Sequence, residues 1–137
     1  MNDKVFLDSN VLVYCYSTSD SSKQIIARNL SAMSNVHIST QVLNETTNVL
    51  HKKYHIPWND LANLITDFES NFILHTLTSS EIKKACIIAK QYGFSFYDSL
   101  IIAAALICDC DILYSEDMQH NQIIENKLKI VNPFKGE

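Results

Sequence analysis

Two rhythms of apolar residues alternate along the chain. Short runs, "KVFLD", "VHIST", "FILHTL", "DILYS" and "LKIVN", have the length and apolar content of buried strands. Between them, apolar residues recur at helical spacing. "NVLVYCYS" begins a helix, and "SSKQIIARNLSAMS" brings Ile25, Ile26, Leu30 and Met33 to one side. "QVLNETTNVLHKKYH" places Val42, Leu43, Thr46, Val49 and Leu50 at the i, i+3, i+4, i+7 positions of an amphipathic helix. "PWNDLANLITDFESN" sets Pro57 at a helix start, and "SSEIKKACIIAKQYG" closes a helix on Gly93. "FYDSLIIAAALICDC" is so apolar that it predicts a central helix. Strands alternating with helices predict right-handed crossovers and an α/β fold in three layers, with a central parallel sheet of about five strands.

Composition narrows this without changing it. The 137 residues fit one domain spanning 1–137, and 47% apolar with 19% charged residues describes a folding chain rather than a disordered one. No apolar stretch reaches the roughly 20 residues that cross a bilayer, and "MNDKVFLDSN" lacks the features of a signal peptide, so the expected location is cytoplasmic. In a reducing compartment Cys15, Cys86, Cys108 and Cys110 read as small core residues. Cys108 and Cys110 have C-x-C spacing with no second pair, which does not make a zinc motif. The net charge of −4 argues against a broad basic surface for nucleic acid, though a cluster of acids around a cation would contribute to the same total.

Candidate chemistry lies in the carboxylates. In open α/β sheets the functional crevice lies beyond the carboxyl ends of the strands. Asp8 ends the first strand and Asp117 follows "DILYS", so both belong to that rim; Asp111 begins its strand and Asp109 precedes it, so these belong to the other. Glu45 sits about one turn into the helix after the second strand, on a polar stripe with Gln41, Asn48 and Lys52. Asp98 lies in the first turn of the apolar helix, aimed at a buried region. Each has a plainer reading. Asp98 forms an S-x-x-D capping box with Ser95, Asp8 or Asn10 can cap a helix, Asp117 can favour a helix start, and Glu45 can be solvated. Four capping or surface acids need not share one rim, however. Carboxylates held together repel unless a cation neutralises them, and oxygen-only ligands favour Mg2+ or Mn2+. Such an ion activates water and stabilises phosphoryl charge, so the implied reaction is phosphodiester hydrolysis.

Absences remove competing classes. With glycine only at 93 and 136, the chain holds no P-loop, dinucleotide turn or nucleophile elbow. "HKKYH" sets His51 and His55 one turn apart but lacks the glutamate of a metalloprotease helix. Lys52, two turns along the stripe from Glu45, is a candidate phosphate contact.

The ordered set "LDSNVLVY", "STQVLNE", "FSFYDSLIIAAAL", "LYSEDMQH" and closing "VNPF" resembles the PIN-domain nucleases, in particular the VapC-like toxins of toxin–antitoxin modules, over nearly the whole chain. The resemblance implies a metal-dependent endoribonuclease with Asp8, Glu45, Asp98 and Asp117 as metal ligands or orienters of the attacking water. It gives Asn10 and Ser115 the role of positioning the acidic groups. It also implies an RNA substrate, a small antitoxin partner and a homodimer. Gln119 and His120 stand where many members carry a further acid, and Asn121 where a glycine is expected, which looks like an S-E-D-x-Q subgroup. Three alternatives stay open: a housekeeping RNA-processing nuclease, a DNA-directed nuclease, and a PIN-like binding module without catalysis.

Overall fold

The computed structural model describes residues 3–135. In chain order its elements are β1 (Val5–Leu7), α1 (Ser9–Tyr14), α2 (Ser21–Ser31), β2 (Val36–Ser39), α3 (Thr40–Tyr54), α4 (Trp58–Asn71) and β3 (Ile73–His75). They continue with α5 (Ser79–Tyr92), α6 (Phe96–Ile107), β4 (Ile112–Tyr114), β5 (Ile123–Ile124) and β6 (Leu128–Val131). The helix boundaries follow from local chemistry. Asp8, Asp20 and Ser39 cap α1, α2 and α3 with side-chain oxygens that accept from first-turn amides. Thr78 and Glu81 complete a capping box on α5, and Gly93 ends that helix at φ +80°, a conformation in which a side chain would be strained. Pro57 sits one position earlier than a first helical residue, as the N-cap of α4.

The sheet order is β3-β2-β1-β4-β6-β5, and every pairing is parallel except β5 with β6. Five parallel strands match the expected sheet; the sixth, β5, does not. A two-residue strand is too short to carry a periodic signal, and it arises from a reversal in which Glu125 and Asn126 take positive φ. Asn121, where the family pattern has glycine, adopts φ +70°, which Asn tolerates better than other side chains.

The chain runs outward from β1 through β2 to β3, then crosses back to β4 on the other side of β1. Right-handed crossovers therefore set α1–α4 on one face and α5–α6 on the other. The strand order reverses between β1 and β4, and the gap beyond their carboxyl ends is the usual ligand crevice of such sheets. Residues Ser99 to Leu106 of α6 are all buried, the physical basis of that helix's unbroken apolar run. In the sheet itself, Phe6, Leu7, Ile38 and Leu113 are fully buried, and because successive strand residues alternate in direction they pack against the helix layers on both faces. Cys15, Cys108 and Cys110 are buried as expected, whereas Cys86 is exposed on α5; all four are free thiols.

Candidate active site

Asp8 leaves β1 into a backbone hydrogen bond with Tyr114 of β4 (3.0 Å), so its carboxylate is anchored at the strand-order reversal. It is only 3% exposed. One oxygen accepts from the Ser9 amide at 2.6 Å, and the other accepts from the Ser115 hydroxyl at 2.7 Å. Ser115 in turn accepts from the Asp117 amide at 3.3 Å, linking the end of β1 to the segment after β4. Asn10 spans the same gap. Its amide donates to Asp117 at 3.1 Å and to Asp8 at 3.4 Å, while its carbonyl accepts from the Glu116 amide at 3.3 Å.

Glu45 reaches the rim from α3. It accepts from the Ser9 hydroxyl and from Gln41, each at 2.9 Å. Neither partner was singled out for this role by spacing alone, although Gln41 stands one turn before Glu45 on the same stripe. Asp98 opens α6, where its amide donates to Ser95 at 3.2 Å, the cap expected from the sequence. Its carboxylate is half-buried.

The electrostatics tie the four acids together. Burial pushes the Asp8 carboxyl up to about 6; the Ser115 and Ser9 hydrogen bonds oppose this, and the charges of Glu45 and Asp98 add to it. Burial also raises Asp98, against the Ser95 hydrogen bond and reinforced by the charges of Glu45 and Asp117. Each acid thus lies within electrostatic reach of others from different segments, as only tertiary structure could arrange. The Ser9 hydroxyl bridges Asp8 and Glu45, and the Asn10 amide bridges Asp8 and Asp117. Among the described residues, a tight group of three metal-ligating donors forms elsewhere, at His37, His75 and Cys108, and not at this rim.

Two shallow clefts flank Glu45. One is lined by Ser9, Asn10, Val13, Tyr14, Val49, Lys53, Tyr54 and Asp117; the other by Gln41, Asn44, Glu45, Asn48 and Tyr97. Lys52 is exposed on α3, while its neighbour Lys53 is the lysine that lines the first cleft. Helical rotation explains the difference, since Lys53 continues the i, i+4 row through Val49 that faces α1. Glu116 is turned away from this exchange: it accepts from Tyr14 at 2.7 Å and pairs with Lys23. His51 stacks on Trp58, with ring centroids 3.6 Å apart, and its Nδ1 meets the Ile56 carbonyl at 3.0 Å, so it holds a turn rather than a metal.

Several solved structures share this architecture. A toxin–antitoxin complex from Klebsiella pneumoniae superposes with a TM-score of 0.71 at 20% identity, covering 96% of this chain and 98% of that one. VapC20 of Mycobacterium tuberculosis, described as a sarcin-ricin loop cleaving toxin, gives 0.67 at 18% identity, covering 82% and 89%. DNA-bound VapBC from Salmonella typhimurium gives 0.66 at 16% identity, covering 94% and 98%. No curated protein matches the chain by sequence. The model of the PIN domain family matches residues 5–125, which takes in Asp8, Asn10, Glu45, Asp98, Ser115 and Asp117, and the chain belongs to that family.

Proposed function

We propose that this PIN-family chain acts as a single unit that hydrolyses RNA phosphodiester bonds with a divalent cation, as the toxin of a toxin–antitoxin module. The observation that carries the reading is the acidic rim. Asp8 is buried, and its nearest charged influences are two further carboxylates. A cation held there would offset the burial and the like charges that raise this acid, and would keep it ionised to lower pH.

The donors fit a hard cation: Asp8, Glu45, Asp98 and Asp117 offer oxygen alone, which suits Mg2+ or Mn2+ better than zinc. When bound there, such an ion would lower the pKa of water and offset charge developing on a phosphoryl oxygen. Ser115 and Ser9 hold the two oxygens of Asp8 in fixed directions. Asn10 joins Asp8 to Asp117, and Gln41 fixes one oxygen of Glu45, so hydrogen bonds orient three of the four acids. Lys53, with Lys52 beyond it on α3, supplies positive charge for the phosphate backbone.

The structural neighbours that are toxin–antitoxin assemblies support a small antitoxin as partner. The homodimer rests on the resemblance to the family. No helix among the described residues is long and apolar enough to cross a membrane, which is compatible with a cytoplasmic site of action. The test is cleavage of a mixed RNA pool with Mn2+, with Mg2+ and with EDTA, beside Asp8→Asn and Asp98→Asn. Metal-dependent cuts ending in 5′-phosphates and lost in both variants are expected; cutting that persists in EDTA, or that leaves cyclic phosphates, overturns the mechanism.

A further inference from the structure

A second group of ligand-type side chains lies on the sheet face covered by α5 and α6. His37 from β2 and His75 from β3 sit on one face of neighbouring parallel strands, since Ser39 pairs with His75 and His37 stands two residues before Ser39. Nδ1 of His37 and Nε2 of His75 are 2.8 Å apart. Cys108 arrives from the C-cap of α6. One donor atom from each of the three residues falls within 4.8 Å of the others. In a tetrahedral zinc site with bonds of about 2.0–2.3 Å, donor atoms lie about 3.3–3.6 Å apart. Closing the group on an ion therefore takes shifts on the order of 1 Å, within the reach of side-chain rotation.

The setting is a built one. His37 is 5% exposed and Cys108 is 9% exposed. The Cys108 thiol has no hydrogen-bond partner among the described residues, whereas the two imidazoles have only each other. We propose that His37, His75 and Cys108 form a binding site for a soft divalent cation of the zinc class, with a fourth position open to water. Two imidazoles and a thiolate are the donor set that selects zinc over Mg2+ or Mn2+.

The groups facing the site act in both directions. Lys4 donates to the Cys108 carbonyl at 2.7 Å, so its ammonium is held at the end of α6. Burial is the larger influence: it lowers His37 to about 4, lowers His75, and pushes the Cys108 thiol up to about 11, so the imidazoles are neutral as a metal requires while the thiol keeps its proton until an ion displaces it; the Lys4 charge adds to the first effect and opposes the second. It also repels a cation, and buried Glu81 opposes it, since the Glu81 charge reaches His75 and Cys108. Binding forms a metal–sulfur bond and releases the thiol proton to solvent. The site is separate from the acidic rim: Asp98 opens α6 and Cys108 closes it, and ten residues at 1.5 Å each put them about 15 Å apart along the helix. An ion there would pin the far end of α6 to β2 and β3, holding by metal bonds what burial alone holds otherwise.

The experiment titrates the full-length metal-free protein with Co2+ as a spectroscopic probe and with Zn2+ by calorimetry. The expected result is a thiolate-to-cobalt charge-transfer band in the near ultraviolet, saturating at about one ion per chain and displaced by Zn2+. It is lost in Cys108→Ser, weakened at least tenfold in affinity in His75→Gln, and retained in Asp98→Asn. Zinc at a hundredfold excess over its Kd should raise the melting midpoint of the wild type by about 5–10 °C and that of Cys108→Ser by none. If the band is absent in a folded wild-type protein, or survives in Cys108→Ser, the site does not exist. If zinc binds but Asp98→Asn abolishes it, the ion belongs to the acidic rim and the proposal fails. Loss of the RNA cleavage described above, with the cobalt band intact, would defeat that function and leave this site standing.

Discussion

The two ends of the sheet treat the same kind of side chain in opposite ways. At the rim before β4, Asp109 pairs with Lys127, and Asp111 accepts from the Lys4 amide at 2.9 Å. Asp109 is accordingly held below the usual carboxylate range, first by its hydrogen bond to Lys127 and then by that lysine's charge. At the rim after β1 and β4, Asp8 and Asp98 are raised, first by burial and then, to a smaller extent, by the charges of neighbouring acids. One end is arranged as proteins arrange surface charge for solubility and modest stability. The other concentrates like charge in a partly buried place where it weakens the fold. The difference is the physical reason for proposing the second rim as the functional site, since perturbed carboxylates from separate segments gather there and not at the other rim.

Replacing acids is the strongest way to break the contrast. Asp8→Asn and Asp98→Asn should each reduce RNA cleavage by about 10²–10⁴-fold, measured as initial rates with saturating Mn2+. Asp109→Asn should leave the rate unchanged. If all three behave alike, the two rims are not functionally distinct.

The next effect is on stability and depends on pH. The native state of metal-free protein holds the Asp8 proton up to about 6, and the unfolded chain releases it near 3.8. Between those values the folded state binds more protons, so stability falls as pH rises. The contribution is fully present below the unfolded pKa and gone above about 6, a loss of about 3 kcal/mol. Urea unfolding in EDTA at acid and neutral pH should show this fall in the wild type. Asp8→Asn should flatten it and be the more stable protein at neutral pH. A mutation that removes activity while strengthening the fold is the pattern of a strained functional site, and a destabilised Asp8→Asn would contradict it.

Smaller effects sharpen the account of positioning. Ser115→Ala and Asn10→Ala remove hydrogen bonds to Asp8 without removing an acid. Cleavage should fall by about 10–100-fold, and the activity profile of Ser115→Ala should shift to higher pH, because the lost hydrogen bond favoured the ionised carboxylate. A drop in rate with no shift would mean that Ser115 only packs. Smallest is Lys127→Met at the opposite rim, for which neither the rate nor the melting midpoint should move measurably, since an exposed ion pair contributes little.

Much of this was legible in the chain. The strand and helix runs located every long element, because an apolar stripe with period 3.6 survives whatever it packs against. The rule that sites lie beyond strand ends separates Asp8 and Asp117 from Asp109 and Asp111 on sequence alone, and in the structure Asp109 pairs with Lys127. The small strand β5 was missed, since two residues carry no period and its register is decided by the positive-φ reversal before β6. Ser9 and Gln41 as partners of Glu45, and Lys53 rather than Lys52 along the cleft, depend on side-chain direction, which spacing gives only to within a turn.

What the sequence determined by itself is the alternation of short apolar strands with amphipathic helices, the caps that bound them, and the placing of acids at strand ends. All of these are local, written in residues a few positions apart. What only the tertiary structure decided is which distant side chains meet. Asp8 touches Ser115 across 107 positions, and His37 reaches His75 across 38 positions, because parallel pairing lays remote segments side by side. Cys108, whose neighbours in sequence suggest no metal at all, joins the two histidines only because α6 crosses the sheet and ends over them. Local free energies act through the chain's own spacing; coupling between segments acts through space, and the fold supplies it.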